Sequence, residues 1–391
     1  MKIGIDARVI SKYPGLGRAC LNLLRELPKT STSHEFVIYT YPNQLFPDKD
    51  DLHFLRNTAH FRLVQLNFPV LSLRTLIWFG KIIERERFDL FHSPFQVTTI
   101  FPPCPLVVTV HDMMDLAYPD AFSHHPFPIR QGLEMYFKFA VPKSILQSKK
   151  IIVPSHSVKE DILKYFSIPD DKIKVILEGV DPVFGLVSDG ETILHIRKKY
   201  SLPEKYIFYL GSIKPYKNLN GILEAYSKLL KLDARNREYK MVIAGLKHFN
   251  YLDLNKISLR LGIADQLVNI GYIPDEEFLV VYSSSTLFIF PSLYEGFGLP
   301  PLEAMACGTP VISSNTSSLL EVVGDAGILV NPRDTDQLAI EMHHLIINNN
   351  VREELIKKGL ERVKRFTWER AAQETLHVYE NVARSCDTKR S

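Results

Sequence analysis

Only four cysteines occur in 391 residues, at positions 20, 104, 307 and 386. They are too far apart for metal-ligand or redox spacing. No stretch of eighteen uncharged apolar residues occurs, so no membrane-spanning helix is expected. The start, Met-Lys-Ile-Gly-Ile-Asp, lacks the apolar core of a signal peptide. These features point to a reducing, cytoplasmic setting, in which the sequon Asn315-Thr316-Ser317 has no meaning. A formal charge of +3 is too small to call for nucleic acid as a partner. The run Gly15-Leu16-Gly17-Arg18 lacks the third glycine of a dinucleotide fingerprint, which disfavours a nicotinamide dehydrogenase. Two Asp-x-Asp strings occur, Asp48-Lys49-Asp50 and Asp334-Thr335-Asp336. Neither follows a convincing strand, and the second reads as a capped helix start. No metal site is expected.

What is present is a globular composition, 46% apolar and 23% charged. A chain of 391 residues suggests two or three domains. Strand-like runs at Lys2 to Asp6, Phe36 to Thr40, Phe61 to Leu66, Leu90 to His92, Leu106 to Val110 and Ile151 to Val153 alternate with helical patterns, notably Leu73 to Arg87. A helix beginning near Gly17 is expected to follow the first strand. A second series starts at Tyr206 to Leu210 and continues through Met241 to Ala244, Val268 to Gly271, Leu287 to Phe290 and Val311. This alternation implies parallel sheets with right-handed crossovers, which bind ligands beyond the carboxyl ends of the strands.

The most informative stretch is 287–313, LFIFPSLYEGFGLPPLEAMACGTPVIS. An apolar strand runs into a loop with Gly296 and Gly298. Pro300 and Pro301 suit a helix start, and Gly308 stops that helix. Amides at such a start favour an anion, typically phosphate. Two carboxylates beside it, Glu295 and Glu303, are costly unless they grip something else, such as sugar hydroxyls. After Leu210, the segment Gly211-Ser212-Ile213-Lys214-Pro215-Tyr216-Lys217 offers ammonium groups that suit phosphate. His111 directly follows the strand ending at Val110, where such sheets bind ligands.

The 287–313 string closely resembles the E-x7-E segment of retaining family 4 glycosyltransferases, also called glycosyl transferases group 1. Its variant Tyr-Glu-Gly-Phe-Gly-Leu-Pro-Pro-Leu-Glu is similar to that of bacterial mannosyltransferases of surface-polysaccharide assembly. The resemblance extends over nearly the whole chain. It implies an α/β, GT-B fold, with two Rossmann-like domains facing each other across a cleft and a C-terminal helix crossing back to the first. The corresponding boundaries are 1–181 for the first domain, 182–203 for a linker with an entering helix, 204–367 for the donor domain and 368–391 for the returning helix.

The resemblance also implies roles. Lys217 and the amides of Gly296, Phe297, Gly298 and Leu299 would hold the donor diphosphate. Glu303 would take the ribose hydroxyls, and Glu295 the transferred sugar. His111 would touch that sugar from the first domain, and His111 and Glu295 are the catalytic pair. Tyr272 and Ile273 would lie on the base, although core packing explains that apolar pair equally well. Gly15 and Gly17 would line the phosphate or acceptor region. Relatives place an Arg where this chain has Ser212 or Tyr216, and Lys214 is the nearest substitute. They also have Asn where this chain has Glu178. The implied activity is hexose transfer from a nucleotide sugar, first GDP-mannose, with UDP- or ADP-sugars as alternatives. No cofactor beyond that substrate is implied, and the acceptor would be a saccharide or lipid-linked hydroxyl. A non-catalytic sugar-binding protein on the same fold is the other reading. Tyr136, Phe137, Phe139, Val141 and Ile145, ringed by lysines, form an apolar face that suits either the core or peripheral contact with the inner face of a membrane.

Overall fold

The structure is a computed structural model that describes residues 1–10, 14–30, 33–41, 51–117, 126–187, 189–212, 214–245 and 254–387. The string at 48–50 and the basic end at 389–390 lie outside the described residues. The chain divides into two compact units, Met1–Gly179 with Trp368–Ser391, and Val180–Thr367. Residues 182–203, expected as a linker, belong to the second unit. Their helix, Gly190–Lys199, packs on helix Asp275–Ser283, and Lys199 donates to both Glu277 oxygens at 2.6 and 2.9 Å.

In the first unit β1 (Lys2–Asp6), β2 (Glu35–Thr40), β3 (Phe61–Gln65), β4 (Leu90–Ser93), β5 (Leu106–Thr109), β6 (Lys150–Val153) and β7 (Ile173–Val175) form one sheet. Its order is β3-β2-β1-β4-β5-β6-β7, every pair parallel. In the second unit β8 (Lys205–Leu210), β9 (Tyr239–Ala244), β10 (Leu267–Gly271), β11 (Leu287–Phe290), β12 (Val311–Ser314) and β13 (Ile328–Val330) follow the order β10-β9-β8-β11-β12-β13, again parallel. Helices cover both faces of such a sheet, so its central strands read as unbroken apolar runs. Tyr206 to Tyr209 and Leu287 to Phe290 are accordingly buried throughout. Phe208, Tyr282 and Phe288 pack edge-on or tilted, with centroids 5.1–5.7 Å apart.

This topology fixes where a site can form. The strand order reverses between β1 and β4 in the first unit and between β8 and β11 in the second. At each reversal the loops leave in opposite directions and open a crevice at the carboxyl ends of the strands.

Two local expectations are corrected, and a third, left open between core and surface, falls to the core. The helix after β1 spans Pro14–Thr30 and therefore contains Gly15 and Gly17, which were expected to form a turn before it. Gly17 allows the close approach, since a Cβ there would lie 2.6 Å from the carbonyl oxygen of Ile10. The expected single helix from Leu73 to Arg87 is two, Leu73–Ile77 and Phe79–Glu86, broken at Trp78. The apolar face of helix Ile129–Gln147 is a core face: Phe137, Val141 and Ile145 are buried, and the Tyr136 hydroxyl donates to Ser72 O at 3.3 Å. Of that set, Phe139 is exposed.

Helix Trp368–Asp387 packs on helix Pro14–Thr30 within the first unit. Its Tyr379 hydroxyl lies 2.6 Å from Nδ1 of the buried His92, whose Nε2 is 2.8 Å from the Thr109 hydroxyl. Hydroxyls both donate and accept, so a neutral imidazole satisfies both contacts. Burial and the neighbouring His111 push the His92 pKa down to about 3.

Candidate active site

The loops leaving β8 and β11 meet at the reversal point of the second unit. After β8 the chain makes a short 3-10 turn, Pro215–Lys217. Asn218 then adopts a left-handed conformation, φ 58°, before helix Leu219–Leu232. The Asn218 side-chain amide donates to Pro291 O at 3.0 Å and Pro332 O at 2.7 Å, and Leu293 N donates to Tyr216 O at 2.7 Å. These bonds clamp the Lys217 turn to the loop after β11. Lys217 Nζ consequently donates to both Glu295 oxygens, at 2.7 and 2.9 Å. The two side chains are only 17% and 12% exposed. The ammonium also faces the rings of Phe290 at 5.1 Å and Tyr216 at 5.4 Å, an arrangement that favours a cation.

The Glu295 loop is held from its other side by hydroxyls following β12. Ser317 Oγ accepts from Glu295 N at 3.0 Å, and Ser318 Oγ lies 2.9 Å from Glu295 O and 2.6 Å from Phe297 O. Ser314 Oγ donates to Ser292 O at 2.6 Å. The loop ends at Gly298, whose φ of 113° is strained for any other residue, and a Cβ there would lie 2.5 Å from Leu319. Helix Leu299–Ala306 then begins with its two prolines in the first turn and ends before Gly308, φ 72°.

The expected site residues thus divide. Lys217, Glu295, Gly296, Gly298 and Leu299 gather at one place. Glu303, expected on ribose hydroxyls, is 3% exposed and takes a hydrogen bond from Tyr282 at 3.1 Å. Of the pair expected on the base, Ile273 is fully buried, so its side chain follows the core-packing alternative, and the Phe297 side chain is buried edge-on to Phe366, which leaves its place in the loop to its backbone amide. An apolar residue in a ligand loop and one in the core look alike in sequence. Tyr272 is half exposed. Ser212 receives a long 3.4 Å contact from the Tyr209 hydroxyl at its carbonyl. Lys214 is exposed, with its ammonium 5.6 Å from the Tyr216 ring on which Lys217 also rests. The chain thus carries Ser212 and Tyr216 where the resemblance has Arg, with Lys214 between them in sequence. Asp334 caps helix Thr335–Ile347 by accepting from Gln337 N at 2.9 Å, and Asp336 pairs with Lys228 at 2.7 Å, so this string is a helix start.

In the first unit His111 follows β5. Its Nδ1 lies 2.9 Å from Glu178 Oε1 and its Nε2 lies 3.2 Å from Pro94 O. Gly15 is exposed and Gly17 buried, both in the opening turns of helix Pro14–Thr30. Sequence reasoning gave no role to Asn218, Tyr282, Ser317 or Ser318. The only signal for the last two was the hydroxyl-rich run Ser313 to Ser318.

Two family models match this chain. "Glycosyltransferase Family 4" covers residues 13–184, and "Glycosyl transferases group 1" covers residues 193–362. The chain belongs to the family 4 glycosyltransferases. This glycosyltransferase is 29% identical to O-antigen chain mannosyltransferase B of Escherichia coli, over 94% of this chain and 97% of the relative. It is 32% identical to the serotype-specific mannosyltransferase WbdA of Escherichia coli, over 60% of this chain but only 29% of that longer relative. The fold is GT-B, as in the crystal structure of Anabaena HepE in complex with UDP and glucose. That match has a TM-score of 0.73 at 18% identity and covers 97% of this chain and 100% of the other.

The Lys217–Glu295 pair makes a direct test. Lys217→Ala leaves a largely buried carboxylate without its ammonium and should cost about 1–3 kcal/mol after allowance for partial exposure. Adding Glu295→Ala should cost less than the sum of the single changes, with a coupling of ~0.5–3 kcal/mol. Urea unfolding of the four proteins measures this, and strictly additive costs would contradict the pair.

Proposed function

We propose that this glycosyltransferase moves a hexose, first mannose, from a nucleotide-diphosphate sugar to a hydroxyl of a glycan or lipid-linked saccharide, with retention at the anomeric carbon. The observation that carries the reading is the meeting of Lys217, Glu295 and the start of helix Leu299–Ala306 at the β8/β11 reversal. An ammonium and helix-start amides suit a diphosphate, and a carboxylate beside them suits sugar hydroxyls. The mannosyltransferase names of the relatives favour mannose, with GDP-mannose as first donor and UDP- or ADP-sugars as alternatives.

Departure of the diphosphate develops charge that fixed positive groups stabilise. Lys217 and the amides of residues 296–299 take that role, so the reaction is expected to need no metal. A diphosphate at Lys217 shares the ammonium with Glu295 or displaces it. Retaining glycosidases reach the same stereochemistry with a nucleophilic carboxylate. Here Glu295 is neutralised by Lys217, which supports transfer on a single face with the leaving phosphate taking the acceptor's proton. Glu295 then positions and stabilises the sugar, Glu303 meets the ribose, and His111 contacts the transferred sugar.

A lipid-linked acceptor would bring the enzyme to a membrane surface. Among the described residues no helix is long and apolar enough to cross a membrane. Peripheral contact with anionic lipid would use the exposed side of helix Ile129–Gln147, where Phe127, Ile129, Met135, Phe139 and Leu146 are 49–76% exposed beside Lys138 and Lys143. Co-sedimentation with anionic vesicles tests this, and protein that stays in the supernatant removes the membrane reading.

The kinetic expectations separate binding from turnover. Lys217→Ala and Glu303→Ala should weaken nucleotide binding at least tenfold. His111→Ala and Glu295→Ala should mainly lower kcat, on the order of a hundredfold. Activity should survive EDTA. Transfer at the wild-type rate by both Lys217→Ala and Glu295→Ala would contradict the assignment. Binding of a nucleotide sugar without any turnover would favour a non-catalytic binding protein.

A further inference from the structure

His92 on β4 is buried and His111 just beyond β5 is largely buried, and the two face opposite kinds of partner. His92 touches two hydroxyls, which serve a neutral ring. His111 touches a carboxylate at Nδ1 and a peptide carbonyl at Nε2, at 2.9 and 3.2 Å. An ionised carboxylate and a carbonyl only accept, so both ring nitrogens must donate, and a ring with two N–H groups is a cation. The shared proton between Nδ1 and Oε1 belongs on nitrogen, because the ordinary pKa of imidazole lies about two units above that of a glutamate.

We propose that Glu178 is the positioning residue of His111: it fixes the ring and holds it as an imidazolium, which serves transfer as a hydrogen-bond donor and fixed positive charge and not as a base. Glu178 stands where the family resemblance has Asn, so a carboxyl group takes the place of a neutral amide. The surroundings agree. Asp112 adds a second negative charge from the same segment. His92 on β4 is neutral, and Cys20 on helix Pro14–Thr30 stays a thiol because burial raises its pKa. Trp368 and Thr375 of the C-terminal helix line the same small cavity of about 40 Å³ and carry no charge. Burial alone would lower the pKa of His111. The hydrogen bond and attraction of Glu178, with Asp112 and the Pro94 carbonyl, outweigh it and raise the pKa. The geometry also restricts how His111 can meet a ligand. Its Nε2–H is aimed at Pro94 O, so a sugar hydroxyl or phosphate oxygen must take over that donor.

The role in transfer rests on the function proposed above, whereas the charge state does not. The sign is definite: a raised pKa keeps the cation below it, so activity falls as pH rises through that pKa. Glu178→Gln keeps size and an acceptor but removes the charge. The His111 ring protons are followed by NMR across pH 5 to 9 in the unliganded protein, with His111→Gln for assignment, and kcat is profiled over the same range. In the wild type His111 should titrate above the ordinary 6.5. In Glu178→Gln both the titration and the alkaline limb of kcat should move to lower pH. A purely structural Glu178 would lower the melting temperature and leave the titration in place. A wild-type His111 titrating at or below 6.5, or an unmoved titration in the variant, overturns the proposal. A shifted titration with an unmoved kcat profile overturns the part that assigns the cation to transfer.

Discussion

The Lys217–Glu295 ion pair is the contact on which the second unit's site depends. It exists because a parallel sheet that reverses its order places the loops after β8 and β11 side by side with nothing between them. Asn218 and the Tyr216 carbonyl tie the first loop to the second, while Ser314, Ser317 and Ser318 tie the second to the strand beyond. An ammonium and a carboxylate held this firmly, and largely out of water, form a preorganised dipole at a helix start. A site that must meet a diphosphate and a sugar together requires such a dipole. Glu303, four residues into that helix, is held differently: Tyr282 from the core side takes part of its hydrogen-bonding capacity.

The first unit uses the same economy of partners to set charge. His92 lies between two hydroxyls and stays neutral, which lets it pin the C-terminal helix through Tyr379 without placing an ion in the core. His111, next to it, lies between two acceptors, the arrangement from which the proposed imidazolium follows. The two histidines differ in their hydrogen-bond partners and in their place, His92 within β4 and His111 beyond the end of β5.

Much of the fold was legible, because strands buried on both faces are continuous apolar runs. β1, β8 and β11 announce themselves that way. β13 did not, since Ile-Leu-Val is too short to distinguish from a loop. Helix boundaries failed where a tertiary contact decides them, as at Trp78 and at Pro14, where Gly17 lets the helix close onto Ile10. Within the site, charged residues were legible because a Lys and a Glu at strand ends have few other uses. Ile273 stayed open between the base and the core in sequence, since burial and contact with a ligand demand the same side chains, and its burial places that side chain in the core. Glu178 stood out as a departure from the family pattern, but its partner lies 67 residues away, a pairing only the folded sheet reveals. Of the serines that clamp the Glu295 loop, Ser317 read as the end of a sequon, while Ser314 ends β12 and Ser318 lies just beyond.

The proposed function requires that the β8/β11 crevice bind a nucleotide-diphosphate sugar through Lys217. A thermal-shift panel of GDP-, UDP- and ADP-sugars against the wild type and Lys217→Ala tests it most directly, because a ligand that binds the folded state raises the melting temperature. The account predicts that one nucleotide class, GDP-mannose first, stabilises the wild type by several degrees and Lys217→Ala by much less. Equal stabilisation of both proteins, or none by any donor, would contradict it.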